Sequence, residues 1–215
     1  MADLVLKISA ANHSNEDSNT LGGDSSQSGN NEKTVQTKEE KIKSQLEDLL
    51  EKLPEGFSMA DLHAKVPVEE RTPYAIVALQ EAERMNALLN EIRLTLKELN
   101  LGLKGELSMS TEMEKLGHSL YLDAVPDKWQ AKSYPSMLPL TAWFVDLIAR
   151  CHELESWTED LNSVPVTVWL GALFNPQAFL TAIMQQTARK NQWPLDKMCL
   201  QVIFLFYTSA CWKTG

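Results

Sequence analysis

The chain has 215 residues, 44% of them hydrophobic, enough for one packed core with some length to spare. Its formal net charge of -9 argues against a partner such as nucleic acid or an anionic membrane, which selects clustered Lys and Arg. The three cysteines, Cys151, Cys199 and Cys211, are an odd number without metal-type spacing, which fits buried, reduced thiols of a cytosolic compartment better than a disulfide framework.

At the start, Met1 to Ala11 lacks the basic region and unbroken apolar run of a secretory signal. Asn12 to Gln36 is rich in Ser, Asn, Gly, Asp and Glu, with almost no large apolar side chain to offset the entropy of ordering it, so residues 1–36 are expected to be a disordered or atypical tail. Gly22 and Gly23 make no phosphate loop, because no Gly-Lys-Ser/Thr follows and no apolar strand leads in.

Thr37 and Glu40 form a capping-box pattern, and Ile42, Leu46, Leu49, Leu50 and Leu53 then fall on one helical stripe before Pro54. A short element is expected around Ser58 to Val66. Thr72 as cap and Pro73 at the first helical position open the longest periodic run, with Tyr74, Val77, Ala78, Met85, Leu88, Leu89, Ile92, Leu96 and Leu99 on its stripe. Gly102 reads as its stop, which makes a helix about 40 Å long at 1.5 Å per residue.

Ser110 or Thr111 caps a further helix carrying Met113, Leu116, Leu120 and Tyr121 as far as Pro126. Val125 to Pro139 holds three prolines and is expected to be extended. From about Leu140 to Trp157, the residues Leu140, Trp143, Phe144, Leu147, Ile148, Cys151 and Leu154 have three-and-four spacing, which predicts a buried amphipathic helix. Val164 to Phe174 is short and apolar, a strand or a buried irregular segment that periodicity alone does not separate. Asn175 and Pro176 open a last helix lined by Phe179, Leu180, Ile183, Met184 and Thr187. Cys199 to Tyr207 reads as a buried strand, and the apolar window Met198 to Cys211, broken by Gln201, Thr208 and Ser209, falls short of the roughly 20 residues of a membrane-spanning helix. The expected class is therefore mainly α, an array of long amphipathic helices with two short β-like segments.

Reactive constellations do not emerge from the same pass. The histidines His13, His63, His118 and His152 share no one-turn spacing, so no metal site is expected. His152 and Glu153 point about 100° apart on a helix and make no acid–base pair. No Ser sits in a Gly-x-Ser-x-Gly elbow and no Cys has the surroundings of a catalytic thiol. The six tryptophans, Trp129, Trp143, Trp157, Trp169, Trp193 and Trp212, lack an accompanying basic groove and read as packing or domain-interface residues. The acidic residues Glu39, Glu40, Glu47, Asp48 and Glu51 read as a solvated helix face. Catalytic, cofactor and metal sites are all expected to be absent, and the packing or interface candidates are Tyr74, Leu88, Leu89, Trp143, Trp157, Trp169, Phe174 and Phe179.

Several runs resemble the C-terminal region of dynein heavy chains, in the family's order, over about Thr37 to Leu200. These are Thr72-Pro73-Tyr74 with Gln80-Glu81 and Arg84-Met85-Asn86, the run Leu101 to Leu107, Val125-Pro126 with Trp129, and Tyr134-Pro135-Ser136. They continue with Trp143, Asp146-Leu147 and Arg150, then Glu153 to Trp157, Val168 to Gly171, Phe174 to Gln185, Ala188-Arg189-Lys190 and Trp193 to Lys197. The Leu101 to Leu107 run and the Asn175-Pro176-Gln177 segment are most similar to the outer-arm axonemal type.

The resemblance implies a non-catalytic segment that packs across one face of a ring of ATPase modules and modulates it. Its expected partners are those modules and other dynein subunits, in the cytoskeleton of the cilium axoneme or the cytoplasm, without direct microtubule contact from this segment. Residues 201–215 differ from the family, which normally continues into a β-rich half, so a truncated product is the expectation. The alternative is a stand-alone helical module that docks on a heavy chain or an assembly factor through exposed apolar stripes. If the ring reading holds, the helix from Pro73 to Leu101 is expected to pass small movements along, because packed interfaces shift between discrete arrangements.

Overall fold

The computed structural model describes residues 5–7 and 37–201. Thr37 starts helix α1 (Lys38–Lys52) with a complete capping box: its hydroxyl accepts from the Glu40 N–H at 3.3 Å, and the Glu40 carboxylate accepts from the Thr37 N–H at 2.8 Å. Ile42, Leu46 and Leu49 are buried on one face, while Glu39, Glu40, Glu47, Asp48 and Glu51 are exposed. Ser58 caps the short α2 (Met59–Lys65), whose Leu62 turns inward.

Helix α3 (Pro73–Leu103) has 31 residues and is about 46 Å long. Thr72 accepts from the Ala75 N–H at 3.1 Å, and Pro73 takes the first position, where the missing donor costs nothing. The stop differs from the expected one. Gly102 lies inside the last turn, and termination falls to Gly105 at φ +75°, a left-handed conformation that glycine adopts without strain. The Glu106 N–H donates to the Leu101 carbonyl and the Gly105 N–H to the Gly102 carbonyl, both at 3.0 Å, the paired bonds of a Schellman end.

Helix α4 (Thr111–Tyr121) is capped by Ser110, whose hydroxyl accepts from the Met113 N–H at 3.3 Å. Met113, Leu116 and Leu120 are buried, but Tyr121 leaves the stripe: its ring is exposed beneath the Lys38 and Lys41 ammonium groups of α1, at 5.3 and 4.7 Å. The proline-containing connection is not extended throughout, because Pro126 lets Asp127–Gln130 close one helical turn, α5, that buries Trp129.

Helix α6 (Leu140–Glu159) begins behind Pro139, which has no capping side chain. Asp123 supplies the cap from a distance: its carboxylate accepts from the Thr141 N–H at 2.9 Å and hydroxyl at 2.6 Å, and its own carbonyl accepts from the Leu140 N–H at 2.8 Å. The Val164 to Phe174 segment combines both readings. Strand β2 (Thr167–Trp169) is followed by a single 3₁₀ turn at Leu170–Ala172. Strand β1 (Val5–Lys7) pairs with it in parallel, Leu6 opposite Val168, a pairing that reading everything before Thr37 as tail did not anticipate.

Asn175 caps α7 (Pro176–Asn191), whose inward face is narrower than its stripe suggests: Phe179, Ala182 and Ala188 are buried, and Leu180, Ile183, Met184 and Thr187 only half-buried. Of the expected last strand, Cys199 to Gln201 are exposed and not in a strand, and the rest lies outside the described residues.

Helix α3 is the hub, with α1, α2, α4, α5, α6 and α7 all packed against it. That arrangement explains its near-continuous inward face, from Tyr74 to Leu99.

Candidate functional site

The residues marked by sequence as packing candidates converge along α3. Tyr74, Leu88 and Leu89 are fully buried on the hub itself, and Trp143 and Trp157 reach it from α6. Phe179 comes from α7, with its ring 5.3 Å from Trp157 and 6.4 Å from Tyr74. Trp169 and Phe174 are half-buried at the edge of this cluster. Trp193 does not join it: at 57% exposure it stands in solvent, because the backbone leaves α7 through the left-handed Gln192 before reaching it. Trp212 lies outside the described residues.

A second aromatic group sits toward the other end. Trp143 lies between Trp129 and Tyr134, at ring distances of 6.0 and 6.1 Å and nearly parallel to both. The Trp129 indole N–H donates to the Thr95 hydroxyl at 3.0 Å, and that hydroxyl donates to the Glu91 carbonyl at 2.8 Å, so both of these donors are satisfied. Burial holds the phenols of Tyr74 and Tyr134 well above their ordinary range, with Asp160 and Asp146 respectively adding to the effect.

Two buried charges organise what lies between. The Arg150 guanidinium on α6 sits 3.5 Å from the Tyr134 ring and 5.2 Å from that of Trp169. It donates to the Asp146 carboxylate at 2.7 Å and to the Gly171 carbonyl, which ties the β2 turn to α6. Glu81 on α3 is only 2% exposed. One of its oxygens accepts from the Phe174 N–H at 2.6 Å, the other from the Asn175 N–H at 3.1 Å and from Arg84 at 3.4 Å. Burial raises its carboxyl above the usual range, and the two N–H groups and Arg84 offset only part of that rise.

Glu81, Arg150 and Thr95 were not among the candidates, although a signal for them exists. The apolar stripe of α3 skips from Ala78 to Met85, and Glu81 occupies the missing place. Arg150 likewise falls three residues after Leu147 and four before Leu154. A polar residue at a stripe position is a buried polar residue with a partner to find.

No group of three or more His, Cys, Asp or Glu residues is arranged to hold a metal among the described residues. A cleft of about 100 Å³ beside Thr95, Glu112, Lys128 and Trp129 is well below the roughly 300 Å³ of a small-molecule pocket. Glu112 there is held below its ordinary value by Lys115 and Lys128. His152 pairs with Glu155 at 3.0 Å on the outer face of α6. No helix among the described residues is long and apolar enough to cross a membrane.

The cysteines do not share one environment as expected. Cys151 is buried, its thiol pushed up to about 12, whereas Cys199 is exposed. Alkylation of the folded protein at neutral pH should therefore modify Cys199 within minutes and spare Cys151 until denaturant is added, as read by peptide mass spectrometry. Equal labelling of both would contradict this packing.

The class of protein is thus a helical array around one long hub, with Glu81, Arg150 and Thr95 paired inside the fold. The C-terminal domain of dynein heavy chains matches residues 11–210, so the protein belongs to that family. Its relatives within the family include axonemal, ciliary and flagellar heavy chains. It is 60% identical over 166 residues to dynein axonemal heavy chain 17 of Homo sapiens, a stretch covering 77% of this protein and 4% of the relative. It is 59% identical over 164 residues to the ciliary dynein beta chain of Tripneustes gratilla, and 51% identical over 160 residues to the flagellar outer arm dynein beta chain of Chlamydomonas reinhardtii. Those matches cover 76% and 74% of its residues. The protein spans about 4% of the length of each of these relatives.

Proposed function

We propose that residues 37–200 are a non-catalytic mechanical segment of an axonemal dynein motor, packing against the ring of ATPase modules and modulating it, in the service of ciliary or flagellar movement. The observation that carries this reading is the match to the C-terminal domain of dynein heavy chains by a protein that spans about 4% of its axonemal relatives. The working partners are then the remaining modules of the heavy chain and other dynein subunits in the axoneme. Nucleotide turnover and microtubule contact fall to those other parts.

The arrangement of polar groups supports the same view. Glu81, Arg150 and Thr95 each bind partners within the fold, an arrangement that fixes element positions and leaves none of these groups poised for chemistry. On the hub, Leu94 and Leu101 are 56% and 40% exposed. Seven residues apart, they lie on one face of α3, and the exposed Leu107 and Met109 follow in the turn beyond. We assign this face to the contact with the preceding heavy-chain modules.

Replacing Leu94 and Leu101 together by Asp should leave thermal stability nearly unchanged, about 0.5 kcal/mol per site, because neither side chain supports the core. The same pair should abolish co-sedimentation with a ring fragment of the heavy chain. Full binding by the folded double variant would remove this face from the account.

A further inference from the structure

We propose that Glu81 is a latch and residues 173–175 a hinge, so that α7 is a separately releasable arm on an otherwise fixed helical body. The Glu81 carboxylate reaches across from the middle of α3 and accepts the Phe174 and Asn175 N–H groups, at 2.6 and 3.1 Å, immediately before the first turn of α7. Asn175 meanwhile accepts from the Ala178 N–H at 3.1 Å. One buried acid thus fixes the backbone on which the helix is launched, at the end where the helix dipole favours negative charge.

Elsewhere α7 is held chiefly by apolar packing, with few large side chains fully buried. Its principal partner is α3, and its one large buried side chain is Phe179, set between Tyr74 and Trp157. Beyond Phe179 only the small Ala182 and Ala188 are buried. The remaining polar tie is long, 3.4 Å from the Tyr74 N–H to the Gln186 amide oxygen. By contrast, α6 is anchored along its whole length, from Leu140 and Trp143 to Leu154 and Trp157.

Loss of the carboxylate would leave two donors of a half-buried segment without an acceptor. Such donors are far better off in water, so the segment carrying them swings outward while the body stays packed. The other charges near the latch are Arg84 on α3 and Arg150 and Glu153 on α6, and α7 contributes none before Arg189. Arg84 is half-exposed at 3.4 Å and supports the carboxylate without replacing it as an acceptor. This device is independent of which partner the protein docks on.

Hydrogen exchange read by mass spectrometry on the whole protein tests it. Glu81→Ala should raise exchange in peptides covering 176–191 by about tenfold or more, with α3 and α6 within about twofold of their original rates. Glu81→Gln, which keeps one acceptor, should give a smaller rise confined to the same peptides. A rise spread evenly over α3, α6 and α7 would reduce Glu81 to general support, and no rise in α7 would remove the latch; either overturns the proposal. If Glu81→Ala does not fold, the regional pattern in Glu81→Gln decides on the same terms.

Discussion

Replacing Trp143 by alanine is expected to lower stability by about 3–5 kcal/mol, as for other large aromatic deletions. Trp143 is 1% exposed and lies between Trp129 and Tyr134, so its removal opens a cavity that two further rings line. Those rings are themselves fixed. Trp129 is tied to Thr95 on the hub, and Tyr134 lies against the Arg150 guanidinium, so neither collapses easily into the gap. A domain has a total stability of only about 5–15 kcal/mol, and the loss would be a large part of it. Urea denaturation measures this, with Trp193→Ala as the comparison. Trp193 is in solvent, and its removal should shift stability by about 0.5 kcal/mol or less.

A proline at Leu88 should be more damaging still. The ring removes the N–H that bonds to the Arg84 carbonyl and collides with that carbonyl, which costs about 3 kcal/mol in a helix interior. Leu88 is also fully buried, and losing such a leucine costs a further 2–5 kcal/mol or so. Because six other helices rest on α3, the break is not confined to it. Leu88→Pro is expected to abolish cooperative unfolding and most far-UV helical signal, whereas Leu88→Ala should keep both at reduced stability. A folded Leu88→Pro variant would mean that the hub tolerates a kink, contrary to the rigid role assigned to it.

The helices were legible in the sequence because their physics is local. Thr37, Thr72 and Asn175 each cap the helix expected from them, and the period of Tyr74, Val77, Ala78 and Met85 reports one buried face. Less legible was anything decided by a neighbour distant in sequence. Asp123 caps α6 from 18 residues away, and Glu81 caps the approach to α7 from 93 and 94 residues away. Tyr121 has a stripe position but faces the lysines of α1, and Trp193 is apolar but follows a left-handed turn into solvent. In each case tertiary placement decides; spacing marks Glu81 as a polar residue on a buried stripe but does not name its partner.

The most direct test of the mechanical reading is microtubule gliding by a full axonemal heavy chain with Leu88→Gly or Leu89→Gly at these positions, nucleotide affinity being measured on the same protein. Softening the hub should change gliding speed while nucleotide affinity stays within about twofold, since a packing element alters how movements are passed on and not how phosphate is held. Unchanged speed in a fully folded variant would contradict the account.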